Sequence, residues 1–149
     1  MVESLELIGL SFLASLGFAI IFQVRGKFLL IAGAGGALVR TVYIICQMFI
    51  PYRILYAGLA AMAAAIFAEI VSTKKNTPAT VFLYPFIIPL IPADLIYYTI
   101  GGLILGETNT FVENGIDCLL ALLGISIGFV VASTISHYIR KFALSKEGA

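Results

Sequence analysis

The chain has 149 residues, of which 61% are hydrophobic and 11% are charged, and its mean hydropathy is +1.08. Soluble domains carry about 25% charged residues, so this composition indicates an integral membrane protein. The net charge of +1 and the lack of a long basic cluster argue against a nucleic-acid partner.

Five apolar segments are long enough to cross a bilayer. A helix rises about 1.5 Å per residue and the hydrocarbon core is about 30 Å thick, so a span needs about 20 apolar residues. We predict an all-α integral membrane protein with one transmembrane domain over residues 1–149. The predicted spans are about 6–22, 28–50, 54–72, 78–106 and 112–139.

Basic residues predict the orientation of these spans. If the segments alternate sides, the side opposite Arg53 collects Arg25, Lys27, Lys74, Lys75, Arg140, Lys141 and Lys146. Because basic residues concentrate in cytoplasmic loops, we expect the N-terminus outside and the C-terminus in the cytoplasm.

Arg40 lies near the middle of the second span, where an arginine is costly unless it faces protein or water. Its plausible partners are Asp94 and Asp117. Two interpretations stay open: a buried ion pair that sets helix register, or a guanidinium that binds a substrate carboxylate in bidentate fashion.

Glu69 lies near the cytoplasmic end of the third span. It is a candidate for gating or proton coupling, as is Asp117 in the last span. The alternative for Glu69 is an ordinary interfacial carboxylate.

The fourth segment is interrupted by Pro85, Pro89 and Pro92. Each proline removes a backbone N–H, so the carbonyls of Val81, Pro85 and Ile88 should lose their helical donors. No water in the bilayer core can replace these bonds, which makes the segment a candidate transport path.

We predict one discontinuous crossing here. A re-entrant hairpin would abolish most of the basic asymmetry, and the segment is too short for two full crossings. The first half-helix should have Thr77 as N-cap and Pro78 at its first position, and the break should lie near Pro89–Ala93.

Asp94 follows the break and is a candidate N-cap of the second half-helix, accepting from the N–H of Ile96 or Tyr97. It could equally be a substrate ligand. The Tyr97 hydroxyl could line the same polar cavity, or the ring could belong to an interfacial belt. With Arg40 and the carbonyls freed by Pro89 and Pro92, these residues form the predicted substrate site.

Motifs for other chemistry are missing from the sequence. Cys46 and Cys118 have no metal-ligand spacing, and the chain has neither a phosphate-binding GxxxxGK[ST] motif nor a His-rich cluster. We therefore expect no metal, no cofactor and no enzyme activity.

Small residues recur at four-residue spacing in several segments, as in Gly33–Ala37, Ala57–Ala65, Gly102 to Gly106 and Gly124 to Gly128. Such faces let membrane helices approach closely. Their number suggests a homo-oligomer or a partner subunit.

Four stretches together resemble the threonine/serine exporter family, and in particular the small subunit of its split, two-gene form. They are Phe67–Val71, then Lys74–Leu83, and then Ile87–Pro92 with Tyr97–Thr99. The family usually has glycine after its prolines, whereas Phe86 and Ala93 occupy those positions here.

The resemblance implies a secondary exporter in a prokaryotic cytoplasmic membrane that acts with a larger membrane subunit. The implied substrates are threonine- or serine-type amino acids, or a C4-dicarboxylate such as succinate. The alternative is a scaffold or assembly subunit that transports nothing, in which the prolines only kink a helix for packing.

Overall fold

A computed structural model describes the backbone of residues 2–147 and the side chains of residues 4–138. The described backbone is helical throughout, with short connections and no strand. Its helices are α1 (Val2–Ile21), α2 (Gly26–Phe49), α3 (Arg53–Lys75), α4 (Thr80–Ile87), a 3₁₀ turn (Ile88–Leu90), α5 (Ala93–Leu105) and α6 (Thr108–Glu147).

Four stretches are long and apolar enough to cross a membrane: Ser4–Ile21, Gly26–Phe49, Arg53–Lys75 and Thr108–Tyr138. The pair Thr80–Leu90 and Ala93–Leu105 passes the same test jointly, with a bend of 52° between its halves. The described residues thus contain four candidate spans, or five if the bent pair is one span. The chain is a multi-pass, all-α membrane protein, as the composition predicts.

The break lies where the prolines place it, between the 3₁₀ turn and α5. One detail of the predicted break is wrong, however. The N–H of Ile91 donates to the carbonyl of Ile88 at 3.3 Å, so the 3₁₀ turn repairs a bond that Pro92 was expected to remove.

The predicted start of the first half-helix is also wrong. α4 begins at Thr80, with Ala79 in the N-cap position. Thr77 instead closes the preceding turn, because its carbonyl accepts from the Ser72 hydroxyl at 2.6 Å and its own hydroxyl donates to the Lys75 carbonyl at 3.0 Å. Its side chain is therefore used before the helix begins.

An aromatic cluster connects α4 to α2 and α3. Phe82 and Phe86 are completely buried. The ring of Phe67 stacks on Phe86 with 5.3 Å between centroids, and Phe28 meets Phe82 edge-on at 5.3 Å. Gly35 provides the space, because a Cβ at this position would overlap the Phe86 ring.

Glycines also bring α3 and α6 together. A Cβ added to Gly124 would overlap the carbonyl of Ile54, and one added to Gly128 would overlap the carbonyl of Gly58. Lipid tails are as apolar as the side chains, so this close packing is what holds the helices together. The small-residue faces on α2, α3 and α6 are thus used within the chain, and they do not by themselves point to an oligomer.

α5 packs mainly on α6, leaving α1 to α4 and the 3₁₀ turn as a separate packed group that meets α6 through α3. Gly102 allows the α5–α6 approach, since a Cβ there would lie 2.7 Å from the backbone nitrogen of Phe111. The bend after the 3₁₀ turn therefore directs the second half-helix toward α6.

Candidate functional site

Arg40 faces the break in the fourth segment. It lies fourteen positions after the first residue of α2, or about 21 Å along the helix, and its side chain is partly buried. Its Nη1 donates to the carbonyl of Pro89 at 3.5 Å, which is a long hydrogen bond. Of the predicted substrate residues, Arg40 and Pro89 are the two that the structure joins by a hydrogen bond.

The contact leaves the guanidinium incompletely satisfied. Its Nε is buried and has no hydrogen-bond partner among the described residues. A buried donor without a partner costs roughly 1–3 kcal/mol or more when the group is charged, so such groups often mark a functional site.

Ser15 on α1 has the same property nearby. Its side chain is fully buried, and its Oγ has no partner in the described part of the chain. It rests against Gly36, where an added Cβ would overlap the hydroxyl. Gly36 precedes Arg40 by one helical turn on the same face of α2, so two unpartnered polar atoms flank one turn of that helix.

A series of cation–ring and ring–ring contacts connects Arg40 on α2 to an ion pair between α3 and α6. The Arg40 guanidinium lies 5.2 Å from the Tyr43 ring centroid, and Tyr43 meets Tyr56 edge-on at 5.1 Å. Arg53 lies 6.0 Å from the Tyr56 ring, and its Nη2 is 3.1 Å from Oδ2 of Asp117.

Asp117 is therefore the partner of Arg53, and its predicted pairing with Arg40 is wrong. The reason is the close packing of α3 on α6. It brings the first residue of α3 beside Asp117, while Arg40 points to the break. The side chains of Arg53 and Asp117 are 27% and 45% exposed, so the ion pair is partly accessible to solvent.

Asp94 is exposed and lies in the first turn of α5, with Pro92 in the cap position. Its prediction as the N-cap is wrong, because Ile96 N–H donates to the Pro92 carbonyl at 3.1 Å. Its carboxylate forms no ion pair with Arg40 among the described side chains. A negative charge in this first turn still interacts favourably with the helix dipole.

Tyr97 and Pro92 differ in their surroundings. Tyr97 is 73% exposed and pairs edge-on with Tyr98 on the free face of α5. Pro92 is buried at the break itself. The bend thus separates Tyr97 from the α2 face, and keeps Pro92 within the packed region.

Glu69 occupies a different place, in a cavity of about 260 Å³ between α3 and α6. Thr73 and Ser136 provide the other polar side chains of this cavity, and the Thr73 hydroxyl donates to the backbone carbonyl of Glu69 at 2.9 Å. Within residues 4–138, no group of three or more histidine, cysteine, aspartate or glutamate side chains is placed to hold a metal ion.

Sequence reasoning missed Tyr43, Arg53 and Tyr56. A signal for them is present, because the chain repeats the spacing Arg-x-x-Tyr at Arg40–Tyr43 and at Arg53–Tyr56. Residues three apart share a helix face, so each pair presents a cation beside a ring. Arg53, Tyr56 and Asp117 extend these polar contacts to the N-terminal end of α3.

A broken membrane helix whose gap faces a partly buried cation is an arrangement typical of helical membrane transporters. A family model described as "Threonine/Serine exporter, ThrE" matches residues 7–135. The chain belongs to this family of transporters. No match was found among the curated proteins or among the solved structures.

Proposed function

We propose that this chain is a subunit of a secondary exporter in a prokaryotic cytoplasmic membrane, acting with a larger membrane subunit of the same family. Its substrates would be threonine- or serine-type amino acids, or a C4-dicarboxylate such as succinate. The family membership supports the transporter class. The observation that carries the site is the contact between Arg40 and the carbonyl of Pro89.

This contact places one positive group, on α2, next to one carbonyl dipole beside the break. A zwitterionic amino acid carries the complement of both. Its carboxylate can accept from Arg40, including the unpartnered Nε, and its ammonium group can donate to the Pro89 carbonyl that Arg40 would then release. Substrate insertion would thus replace one long hydrogen bond by two charge-assisted ones.

A dicarboxylate fits this exchange less well. Its first carboxylate can bind Arg40, but its second would meet a carbonyl oxygen where a donor is needed. We therefore favour an amino acid, and succinate would need a second cation from the partner subunit.

The proposed topology has five spans, with α4, the 3₁₀ turn and α5 as one discontinuous crossing. Four basic residues are located at one end of the helices, namely Arg25, Lys27, Lys74 and Lys75, and Arg53 is at the other. By the positive-inside rule the first end is cytoplasmic and the N-terminus lies outside. The break then separates a cytoplasmic half-helix from an outer one, with Asp94 and Tyr97 at the outer side.

The test is counterflow of labelled threonine and labelled succinate in vesicles that contain this chain, its larger partner, or both. We expect flux only with both chains, and loss of most flux in Arg40→Ala. Lys75→Ala, which removes an exposed cation at the end of α3, is the matched control and should keep full flux.

Unchanged flux in Arg40→Ala would contradict the proposed site. Flux that requires this chain but ignores every substitution near the break would instead support the scaffold function. Glu69 and Asp117 are the proposed coupling or gating residues, and the dependence of flux on an imposed proton gradient in Glu69→Gln tests the first of them.

A further inference from the structure

A cavity of about 550 Å³ with both polar and apolar walls opens at the end of the helices that carries Arg25 and Lys75. It is separate from Arg40 and was not a predicted site. Its walls come from the connections α1–α2 and α3–α4 and from the first turns of α2 and α4. They are Phe22, Gln23, Val24, Arg25, Phe28, Asn76, Thr77, Pro78, Thr80, Val81 and Tyr84.

Two backbone turns shape this cavity. Gln23 and Asn76 both adopt left-handed conformations, with φ of 56° and 47°, at the ends of α1 and α3. Left-handed residues end helices abruptly, so both connections fold back at the same level. Their side chains line the cavity on two sides.

The charge of the lining is one-sided. Arg25 is the charged residue in the wall, and the other polar groups are neutral amides and hydroxyls. No acidic side chain belongs to this lining. Lys27 does not belong to the lining, and its ammonium group is 5.0 Å from the Phe28 ring centroid. A planar guanidinium is suited to bidentate binding of carboxylate or phosphate oxygens.

The volume is that of a site for a small metabolite, since ligand pockets usually measure about 300–1,000 Å³. The rings of Phe22 and Tyr84, with centroids 5.8 Å apart, form one side of the wall. Around a single cation the cavity thus offers apolar surface and several neutral hydrogen-bonding groups.

Phe28 in the cavity wall also belongs to the aromatic cluster, which lies on the side of the cavity toward Arg40. It contacts Phe82, and Phe86 fills the space beside Gly35. Arg40 lies twelve positions beyond Phe28 on α2, which is about 18 Å. Along α2, the Phe28–Phe82 contact and the Phe86 ring against Gly35 therefore lie between the cavity and Arg40.

We propose that this cavity is a binding site for an anionic oxygen group, a carboxylate or a phosphate, held by Arg25. For a soluble metabolite, this cavity is the first binding site on the path to Arg40. The rings of Phe28, Phe82 and Phe86 form the barrier between the two sites. The assignment as an entry site on the transport path rests on the export function proposed above. The anion site itself rests only on the lining.

The experiment measures protection of a cysteine placed in the wall. Thr80→Cys is introduced with Cys46→Ser and Cys118→Ser, and the rate of its alkylation by N-ethylmaleimide is followed in lipid nanodiscs. Threonine, succinate and inorganic phosphate are added separately. We expect at least one of them to slow alkylation several-fold with Arg25 present.

Three variants make the test specific. Arg25→Gln should abolish the protection, Arg25→Lys should keep part of it, and Lys27→Gln should retain it because Lys27 lies outside the lining. Equal protection in Arg25→Gln and its parent, or no protection by any of the three compounds, would overturn the site.

The source of the anion is decided by the lipid. If slow alkylation without an added compound appears in phosphatidylglycerol nanodiscs and not in phosphatidylcholine nanodiscs, the bound group is the phosphate of an anionic lipid. Protection in phosphatidylcholine by threonine or succinate identifies a soluble carboxylate. Protection that persists in Arg40→Ala separates this site from the one at the break, so either proposal can fail without the other.

Discussion

The guanidinium of Arg40 and the carbonyl of Pro89 meet beside the break in the fourth segment, at 3.5 Å. Forty-nine positions separate them in the chain, and they belong to different helical elements. In a continuous helix the N–H of Ala93 would donate to the Pro89 carbonyl, but it donates to the Ile91 carbonyl at 2.9 Å, and the arginine supplies a donor instead. The same contact holds two groups that a zwitterion would bind separately.

Competition by substrate analogues tests this complementarity. Threoninol lacks the carboxylate and 3-hydroxybutyrate lacks the ammonium group, so each should compete with labelled threonine more weakly than threonine does. In Arg40→Ala the affinity for threonine should fall roughly tenfold to a hundredfold, because a hydrogen bond to a charged group contributes about 1.5–3 kcal/mol. Threoninol affinity should change little. A parallel loss for both compounds would show that Arg40 acts on the fold and not on the carboxylate.

Gly35→Ala should destabilise the protein by about 1–3 kcal/mol, because the added methyl group overlaps the buried Phe86 ring. Thermal unfolding of the solubilised protein measures the effect. Gly9→Ala is the matched control, since nothing lies within 4 Å of a Cβ there, and its alanine should be neutral or slightly stabilising in α1. Combining Gly35→Ala with Phe86→Leu should recover part of the loss; no recovery would mean that the ring is not the obstacle.

Ser15→Ala should raise the melting temperature. The hydroxyl is buried without a partner, and removing such a group saves up to roughly 1–3 kcal/mol of desolvation. For a chain of this size each kcal/mol corresponds to about 2–4 °C. Ser11→Ala is the comparison, because the Ser11 hydroxyl donates to the Leu7 carbonyl at 2.7 Å. A lower melting temperature for Ser15→Ala alone would show that the Ser15 hydroxyl has a partner, such as an ordered water.

The ion pair of Arg53 and Asp117 should contribute little stability. Both side chains are partly exposed, and exposed pairs contribute about 0.2–1 kcal/mol. A double-mutant cycle with Arg53→Ala and Asp117→Ala in unfolding experiments gives the coupling energy directly. It should shrink at high salt, since solvated charges are screened. A coupling of several kcal/mol, independent of salt, would indicate a pair that is buried in the working assembly.

Much of the fold was predictable because its causes are local. Apolar length predicts the spans, and prolines predict a break at the residues that lack an N–H. The start of α4 was not predictable in detail, because in the α3–α4 turn the Thr77 hydroxyl donates to the Lys75 carbonyl and the Thr77 carbonyl accepts from the Ser72 hydroxyl. Asp94 was misassigned for a related reason: Pro92 takes the cap position and moves Asp94 into the first turn.

The candidate site was likewise predictable in part. Arg40 and Pro89 were identified separately from the cost of a charge and of a missing donor in a membrane. Their contact was not predicted, and Arg53 was not recognised as the partner of Asp117. Which polar groups meet depends on the rotation of each helix about its axis, and small residues set that rotation where they permit close approach.

The sequence by itself thus determined that this is an apolar, all-helical membrane chain with a helix broken after Pro89, since these follow from composition and backbone chemistry. Only the tertiary structure decided that Arg40 faces the break, that Asp117 binds Arg53, and that Phe82 and Phe86 pack against Phe28 and Phe67. Those contacts join residues far apart in the chain, and they depend on how glycine-lined helices pack against each other.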